Sequence, residues 1–589
     1  MTRREAWTAA ALAALFALGI ARAVQLAWVC DDSFISLRYA ENLVAGHGLV
    51  YNPGERVEGY TNLLWTLLLA ALLRLGVDPI RAAELPGIAA YAGLAGLLAW
   101  ESWRRSRAPG RAFLPLAAAL VLVCDDFQVW ATGGLETALF GLLVAGGLLA
   151  TRDAPESPAR PWLAGVLLAL AVLTRPDGAL LALVGVASWW LPSDRCRVSA
   201  RRRAALATLL PVAAVIAILV PWKLAYYGEL LPTAFHSKSA TRPYLAQGLV
   251  YLGVYLAKNW FLLAAGIGAL VAWGRGQRAL PRAVRGYERF LMLGAGSFVA
   301  YVVWVGGDFM AARRLLPAAP LVFLVLEEGV ARWREPMRVA LGASAILVAA
   351  ALPAPIFERV ARINHIGEER LFYPREAIEA RRAQAAAVRA ALEGTQARVA
   401  FEGGMCVFGY YSRLPYLVEI TGLTQYSLAK RPLRERGPIG HEKTADDDWL
   451  RENGIHLIVG QEFPPVAKHA QRRHDELAFG DLARARIVLY SDAVMDPLRG
   501  RPGVDFAPIE RVLEAAAREM EAADAERAAE ILAGLEAWYF DHAGSRGEER
   551  ARPLREILER KRKDADGSGS GSHHSRMSRI THAPLRRGP

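Results

Sequence analysis

Long apolar stretches, separated by short polar segments, dominate the first 352 residues of this chain. Charged residues are nearly absent from these stretches, whereas a surface helix of a soluble protein carries a polar face. Several are shorter than the roughly 20 residues that a perpendicular spanning helix needs, so adjoining residues must extend them. The pattern predicts a polytopic α-helical membrane protein with eleven spans, at 7–29, 83–103, 112–124, 136–150, 162–174, 179–191, 205–222, 250–272, 288–305, 315–330 and 338–352.

One further apolar stretch, 63–73, is short for a span and typical of a segment that lies at the membrane surface. The positive-inside rule supports this interpretation. With the stretch at the surface, four arginine-rich segments all fall on the cytoplasmic side, namely 104–111, 195–203, 275–289 and 332–338. The sequence therefore predicts a cytoplasmic N-terminus and an extracytoplasmic C-terminal region.

Composition agrees with this topology. The 589 residues are 53% hydrophobic and 22% charged, and 70 basic against 58 acidic residues give a formal charge of +12. Because many of the arginines lie in the predicted cytoplasmic loops, the positive excess reflects topology, and no nucleic-acid partner is expected. The four cysteines are too few and too scattered for a disulfide framework or a metal site; they are Cys30, Cys124, Cys196 and Cys406.

The composition changes beyond residue 352. An Ala/Arg/Glu-rich helix is predicted at 376–393 and another at 509–534, and short strands are predicted at 398–401 and 455–459. This alternation predicts an extracytoplasmic α/β domain, and the low-complexity basic end predicts a disordered tail. The predicted domains are 1–352 in the membrane, 353–563 outside it and 564–589 as the tail.

The loops predicted on the outer side hold the unusual polar segments, which are 31–60, 125–136, 174–178, 226–242 and 306–314. Five such segments on one face predict a single functional site. The most unusual feature is the pair Asp31-Asp32 directly after the first span, since carboxylates near hydrocarbon are costly. The alternative for such a pair is a solvated helix end.

The segment DDSFISLRYAENLVAGHGLVYNPGERVEGYTNLLWTLLLA, which begins at Asp31, resembles the first extracytoplasmic loop of GT-C-fold glycosyltransferases, especially the actinobacterial terminal arabinofuranosyltransferases. Looser matches follow in order: GGLETALF from Gly133, TRPDG from Thr174, YYGELLPTAFHSK from Tyr226, GGDFMAARRLLPAAP from Gly306, YYSRLPYLVEITGLTQ from Tyr410 and GHEK from Gly440. Two departures concern substrate contacts. LPTAF lacks the asparagine expected after the proline, and Gly403-Gly404-Met405 replaces a commonly acidic position.

The resemblance implies a GT-C fold and a donor in which a polyprenyl phosphate carries the sugar. It further implies transfer with inversion to a hydroxyl of a cell-envelope glycan or protein at the outer face of a bacterial cytoplasmic membrane. Arabinofuranose is the sugar that it suggests first. Its partners would thus be a lipid-linked sugar, an acceptor and the bilayer.

This chemistry assigns candidate roles to particular residues. Asp31 or Asp32 would be the general base, which is worth about 10²–10⁴-fold in rate. The same pair is a candidate ligand set for a divalent cation, and no other cofactor is expected. Cations suit the phosphate of the donor, and the candidates are Lys238, Arg242, Arg313, Arg314 and Arg175. Substrate-binding candidates are Arg38, His47, Glu58, Tyr60, Asn62, Tyr227, Asp308, His441 and Lys443.

Several of these residues have plainer alternatives. Arg313-Arg314 is also compatible with snorkelling at a helix end. Arg175 is also compatible with a local salt bridge to Asp177, and the second acidic pair, Asp125-Asp126, with a solvated loop. Glu136 begins a predicted span, where a carboxylate stabilises the helix N-terminus, so a structural role is favoured there.

Two other classes of protein share the predicted spans. A transporter or lipid-linked-sugar flippase is expected to show internal repeats and charges near the membrane midplane, and neither is evident. A non-catalytic scaffold would leave Asp31-Asp32 unexplained. The sequence contains no P-loop, HExxH, GxSxG or CxxC motif, so those catalytic classes are not favoured.

Overall fold

The computed structural model describes residues 3–107, 112–151, 159–190, 198–239, 241–263, 282–331, 335–460 and 475–569, with the backbone alone at 282–289, 336 and 567–569. The chain divides into two compact units. The first contains residues 1–389 and 401–445, and the second contains residues 390–400 and 446–589.

The first unit is mostly helical. Three of its described helices are long and apolar enough to cross a membrane: α1 (Arg3–Gln25), α4 (Pro79–Ser106) and α10 (Val198–Tyr227). The other helices of its membrane half are α2 (Ser33–Val44), α3 (Leu63–Arg74), α5 (Leu116–Val123), α6 (Asp125–Trp130), α7 (Thr137–Ala150), α8 (Ala159–Thr174), α9 (Gly178–Ala187), α11 (Thr233–Ser237), α12 (Leu245–Lys258), α13 (Arg282–Trp304), α14 (Ala319–Ala331) and α15 (Pro336–Ala350). Each predicted span contains a helix, although the span 250–272 is described only as far as residue 263. The number of membrane crossings and their orientation remain predictions.

Local signals and burial fix individual helices of this unit. The stretch 63–73, predicted to lie at the membrane surface, forms α3. Its successor α4 begins with Pro79 after Asp78, whose carboxylate accepts the backbone N–H groups of Ile80 and Arg81 at 3.0 and 3.3 Å. Proline at the first helical position and an aspartate cap are a common start signal. Helix α2 is buried along its first eight residues, which fixes the segment that follows Asp32.

The remainder of the first unit supplies short elements: α16 (Ile356–Arg359), β1 (Arg362–Ile363), β2 (Ile366–Gly367), α17 (Arg375–Leu392), β3 (Val399–Phe401), α18 (Cys406–Tyr411), β4 (Leu417–Glu419) and α19 (Tyr426–Ala429), where α17 and β3 extend into the second unit. The β1–β2 hairpin is antiparallel. It holds the loop 306–314, since Ala311 donates its N–H to the Gly367 carbonyl and Gly367 donates to that of Phe309, both at 2.9 Å.

The second unit contains an antiparallel arrangement of β5 (Leu457–Val459), β7 (Ala483–Ile487), β6 (Glu476–Phe479) and β8 (Val504–Phe506). Its described helices are α20 (Asp447–Glu452), α21 (Asp492–Met495), α22 (Ile509–Ala522), α23 (Ala525–Trp538) and α24 (Gly544–Gly569). Trp538 joins helix to sheet, because its indole N–H donates to the Ile487 carbonyl at 2.9 Å. A mixture of helices and strands in the C-terminal part, as predicted, is confirmed.

Two details differ from the sequence predictions. The helix predicted at 509–534 is two helices, because Asp524 ends the first and caps the second by accepting the Arg527 N–H at 2.8 Å. Helix α24 continues to Gly569, six residues into the predicted tail, and 570–589 lie outside the described residues. The first unit also includes 353–389 and 401–445. The predicted boundaries at 352 and 563 separate the chain by its location relative to the membrane. Those boundaries stay a prediction.

Candidate functional site

A cavity of about 210 Å³, open to solvent, lies in the first unit. Residues from all five polar segments predicted on the outer side line it, so the structure brings those segments together. The polar residues that line it include Asp32, Tyr60, Asn62, Glu136, Arg175, Asp177, Lys238, Arg313, Arg314 and His441.

The two adjacent aspartates have different surroundings. The carboxylate of Asp31 accepts the backbone N–H groups of Cys406 and Val407 at 2.9 and 3.1 Å, and the residue is 2% exposed. Asp31 therefore anchors the start of α18. Asp32 lines the cavity instead. The positive charges of Lys238, Arg313 and His441 lower the pKa of its carboxyl and partly offset the effect of burial. Burial raises the pKa of Asp32 and raises that of Asp31 to about 6. Of the two, Asp32 is placed to meet a substrate.

Three cations of the cavity share one buried carboxylate. Asp308 is fully buried; its Oδ2 accepts Arg314 Nε at 3.2 Å and lies 3.7 Å from Arg313 Nη1, while its Oδ1 lies 4.0 Å from Lys238 Nζ. Burial alone raises the pKa of Asp308, but these cations outweigh it and hold the pKa below its usual range. Arg313 Nε is buried without a hydrogen-bond partner. We call Lys238, Arg313, Arg314 and Asp308 the cationic cluster.

The loop that carries Asp308, Arg313 and Arg314 has an unusual backbone. Gly306 and Gly307 have φ angles of 92° and 77°, and Ala312, directly before Arg313, has a φ of 64°. Residues other than glycine rarely adopt a positive φ, and backbone strain of this kind is concentrated at functional sites. A side chain at Gly307 would meet the ring of Tyr251 at 2.4 Å. The loop therefore depends on glycine at this position for packing as well as conformation.

Gly307→Ala is expected to destabilise the protein by about 1–2 kcal/mol for the left-handed backbone and by a further ~1–3 kcal/mol for overpacking against Tyr251. Gly54→Ala is the matched control, because Gly54 has a φ of 88° but open space around it. Thermal unfolding in detergent measures both variants. Equal losses in the two would contradict the packing argument.

A second group of polar residues is joined by hydrogen bonds. Arg175 forms a bidentate pair with Asp177 at 2.9 and 2.6 Å. Glu136 Oε1 accepts from Arg175 at 3.3 Å and from Arg313 at 3.0 Å, and its Oε2 accepts from Asn62 at 2.9 Å. We call Asn62, Glu136, Arg175 and Asp177 the polar cluster. The local salt bridge between Arg175 and Asp177, the alternative interpretation for Arg175, is present. Arg313 forms ion pairs with Glu136 and Asp308.

Two more predicted site residues, Tyr60 and His441, line the cavity with their rings, and two others, Tyr227 and Glu58, lie outside the lining. Tyr60 lines it, and its hydroxyl lies 3.0 Å from that of Tyr227, which donates to the Leu49 carbonyl. Glu58 is buried and pairs with Lys223 at 2.6 Å. The His441 ring lines the cavity and packs edge-on against Phe309 at 5.1 Å.

Besides Asp31, Glu58, Tyr227 and Asp308, four more predicted residues lie outside the cavity lining. Arg38 donates to the backbone carbonyls of Tyr51, Gly409 and Leu414 at 2.7–2.8 Å. Lys443 donates to those of His236 and Ala429 at 2.8 and 2.6 Å. His47 and Arg242 are exposed. The predicted roles, donor-phosphate binding for Arg242 and substrate binding for the other three, stay predictions. Arg38 and Lys443 hydrogen-bond to the backbone of other segments and hold those segments together.

The second acidic pair is engaged inside the fold. Lys258 Nζ lies 2.7 Å from Asp126 and 3.1 Å from Asp125, and Asn259 donates to Asp126 at 2.7 Å. Both carboxylates are therefore ion-paired and mostly buried, whereas the alternative for this pair was a loop in solvent.

A divalent cation was predicted for Asp31 and Asp32. Together with Cys406 they place ligand atoms within 4.8 Å of one another. The Asp31 carboxylate accepts two backbone N–H groups and keeps only part of its acceptor capacity. Burial raises the pKa of the Cys406 thiol well above its usual value, so the thiol stays protonated and is a poor metal ligand. Of this group only Asp31 and Asp32 offer the oxygen ligands that calcium and magnesium take, so the remaining ligands would have to come from water or a donor phosphate. The predicted cation stays a prediction. No step proposed below uses a cation of this kind.

Three buried carboxylates around the site, Glu136, Glu369 and Glu419, are not among the site residues that the sequence predicts. Glu136 was given a structural role, although it lines the cavity and contacts two arginines. Glu369 is 3% exposed with one unpartnered oxygen, and burial, together with the charge of Asp32, raises its pKa to about 8. Glu419 is fully buried and accepts the backbone N–H and hydroxyl of Thr421. No motif marks Glu369, and Glu419 lies within the stretch YYSRLPYLVEITGLTQ quoted above without a role assigned to it.

Glu419 predicts a dependence of stability on pH. Burial raises its pKa to about 7, although hydrogen bonds from Thr421 and Leu423 lower it. The folded protein therefore holds this proton more tightly than the unfolded chain, whose glutamates titrate near 4.3. The contribution of Glu419 is fully present below pH of about 4 and is lost as pH rises to about 7. Melting temperatures of wild type and Glu419→Gln across this range should converge or cross; parallel curves would contradict it.

An apolar helical framework around a cavity that combines a carboxylate with clustered cations defines a membrane-type protein suited to an anionic ligand. In sequence, the chain is 30% identical over 379 residues to the terminal beta-(1->2)-arabinofuranosyltransferase of Mycobacterium tuberculosis, with 56% of each chain covered. It is 28% identical over 339 residues to the protein of that name from Corynebacterium glutamicum, covering 51% of this chain and 48% of the other. The predicted resemblance to terminal arabinofuranosyltransferases is confirmed, and the chain spans about half the length of these relatives.

Among solved structures, ArnT from Cupriavidus metallidurans bound to undecaprenyl phosphate gives a TM-score of 0.49 at 15% identity, covering 83% of this chain and 99% of that one. No protein-family model matches the chain.

Proposed function

We propose that this protein is an inverting membrane glycosyltransferase of the GT-C type. It transfers a sugar, with arabinofuranose the first candidate, from a polyprenyl phosphate to a cell-envelope glycan or protein acceptor. Sequence similarity to two terminal arabinofuranosyltransferases supports the class of reaction. The observation that carries the proposal is the meeting of Asp32 with Lys238, Arg313 and Arg314 in one cavity.

In this reaction Asp32 acts as the general base. Its carboxylate takes the proton of an acceptor hydroxyl while the hydroxyl oxygen forms a bond to the anomeric carbon of the donor sugar. The bond between that carbon and the phosphate oxygen breaks, and its electrons leave with polyprenyl phosphate. Because the oxygen attacks from the face opposite the phosphate, the anomeric configuration inverts. The raised pKa of Asp32 strengthens it as a base.

The cationic cluster stabilises the leaving group. The donor phosphate carries one negative charge, and the departing phosphate monoester carries up to two. Lys238, Arg313 and Arg314 are held in place by Asp308 before substrate arrives, so they neutralise this charge with little rearrangement. Arg313 Nε, which is buried and unpartnered, is available as a donor to a phosphate oxygen.

The proposed reaction takes place outside the cytoplasm, with the C-terminal region on the same side. A topology reporter fused after residue 352 is expected to give an extracytoplasmic signal. A cytoplasmic signal would reverse the predicted orientation and place the cavity on the other face of the membrane.

The direct test is transfer by the purified protein in detergent from radiolabelled polyprenyl-phosphate arabinofuranose to an arabinan oligosaccharide. We expect labelled product with an inverted anomeric centre by NMR. If the labelled donor is unchanged in detergent but crosses the bilayer of proteoliposomes, the protein is a flippase. Labelling from other polyprenyl-phosphate sugars alone would retain the transferase and replace arabinofuranose.

A further inference from the structure

The two groups of charged residues in the cavity differ in net charge. The cationic cluster sets three cations against one carboxylate. The polar cluster sets the single cation Arg175 against the carboxylates of Glu136 and Asp177. An anion is therefore drawn to the first group and repelled by the second. The polar cluster needs a different ligand from the phosphate.

The polar cluster is held rigidly by its own hydrogen bonds. Asn62 Oδ1 accepts from Ser36 and Thr66 at 3.0 and 3.1 Å, which aims its amide at Glu136. The side chains of Arg175 and Asp177 are 7% and 6% exposed, although both residues line the cavity. A carboxylate has about four lone-pair sites, so Asp177 keeps acceptor capacity beyond its two bonds to Arg175.

Fixed donors beside fixed acceptors, without a positive excess, suit a neutral group that carries several hydroxyls, since each hydroxyl both donates and accepts. We infer that Asn62, Glu136, Arg175 and Asp177 form the subsite for the sugar ring of the donor, with Asp177 accepting a hydrogen bond from a ring hydroxyl. This inference rests on the proposed function. It moves Arg175, which the sequence assigned to the donor phosphate, to the sugar.

Glu136 gives this assignment a geometric basis. Its Oε1 accepts from Arg175 of the polar cluster and from Arg313 of the cationic cluster, at 3.3 and 3.0 Å. The two subsites are therefore adjacent across one carboxylate oxygen. A sugar and the phosphate bonded to its anomeric carbon are adjacent in the same way, so one donor molecule is able to occupy both.

The test separates sugar contacts from phosphate contacts with two ligands. Farnesyl phosphate lacks the sugar and is measured as an inhibitor, whereas the farnesyl-phosphate sugar is measured as the donor. Asp177→Asn is expected to lower kcat/KM for the donor about 10- to 100-fold, as for loss of a hydrogen bond to a charged group. Its inhibition constant for farnesyl phosphate should stay within about twofold of wild type. Arg314→Gln is the matched control and should weaken both ligands.

Donors that each lack one sugar hydroxyl distinguish a direct contact from a structural effect. One deoxy donor should lose about 10- to 100-fold in kcat/KM with wild type and no more than about twofold with Asp177→Asn. If Asp177→Asn fails to fold, Asp177→Glu replaces it, with the same expectation for the two ligands. Parallel loss of donor and farnesyl phosphate, or equal deoxy effects in both proteins, would overturn the inference. Wild type without transfer from any donor would instead overturn the proposed function.

Discussion

Replacing Asp32 with asparagine is expected to lower kcat of sugar transfer by about 10²–10⁴-fold, the range for loss of a general base. Asp32 lines the cavity and faces Lys238, Arg313 and His441, so its carboxylate acts on the ligand rather than on the fold. The melting temperature and the inhibition constant for farnesyl phosphate should therefore change little. Initial rates with labelled donor, together with thermal unfolding, measure the two effects on the same preparation.

Asp31→Asn is the matched comparison, because it makes the same chemical change at the neighbouring position. Asp31 accepts the N–H groups of Cys406 and Val407, and asparagine has only one side-chain oxygen to offer them. We expect a loss of about 1.5–3 kcal/mol in unfolding free energy, the usual value of a hydrogen bond to a charged group. Activity should follow the folded fraction. If Asp31→Asn is stable but inactive while Asp32→Asn is active, the roles of the two aspartates are reversed.

The apolar pattern was enough to place the helices and to predict that five polar segments form one site. The reason is physical: a run without charges has few alternatives to a buried or membrane helix, and topology then assigns each connecting loop to one side. Asp32, Lys238, Arg313 and Arg314 were all found in this way. Their residue types also carry the chemistry of a base and a phosphate site, so composition and position agreed.

The distinction between Asp31 and Asp32 was beyond the sequence. It depends on backbone N–H groups at Cys406 and Val407, which are more than 370 residues away in the chain. Arg38 shows the same limit, since its partners at Gly409 and Leu414 are equally distant. Tertiary packing decides whether a residue near a site faces the ligand or stabilises the surrounding fold. No local sequence pattern reports that packing. For Glu136 the local signal, a helix N-terminus, is genuine but does not report its contacts with Arg175 and Arg313.

Asp308→Asn is expected to cost about 3–5 kcal/mol in unfolding free energy, since removal of one partner of a buried ion pair leaves unpaired charge. The carboxylate is fully buried and holds Arg314 at 3.2 Å, with Arg313 and Lys238 within 4.0 Å. Without it, three largely buried cations repel one another, since their side chains are only 10–18% exposed. Asp125→Asn is the control: Asp125 is 23% exposed, and its partner Lys258 keeps Asp126, so we expect less than about 1 kcal/mol.

Farnesyl phosphate should reverse part of the loss in Asp308→Asn. A ligand that binds only the folded state stabilises it by mass action, and an anion among the three cations would also replace the missing carboxylate charge. The rise in melting temperature on adding farnesyl phosphate should therefore be larger in Asp308→Asn than in wild type, and absent with uncharged farnesol. An equal or smaller rise would mean that Asp308 organises the loop without tuning the phosphate site. A larger rise would mean that the donor phosphate stabilises the loop 306–314 through its charge. Asp308 would then neutralise the three cations in the empty site, and the phosphate would neutralise them in the occupied site.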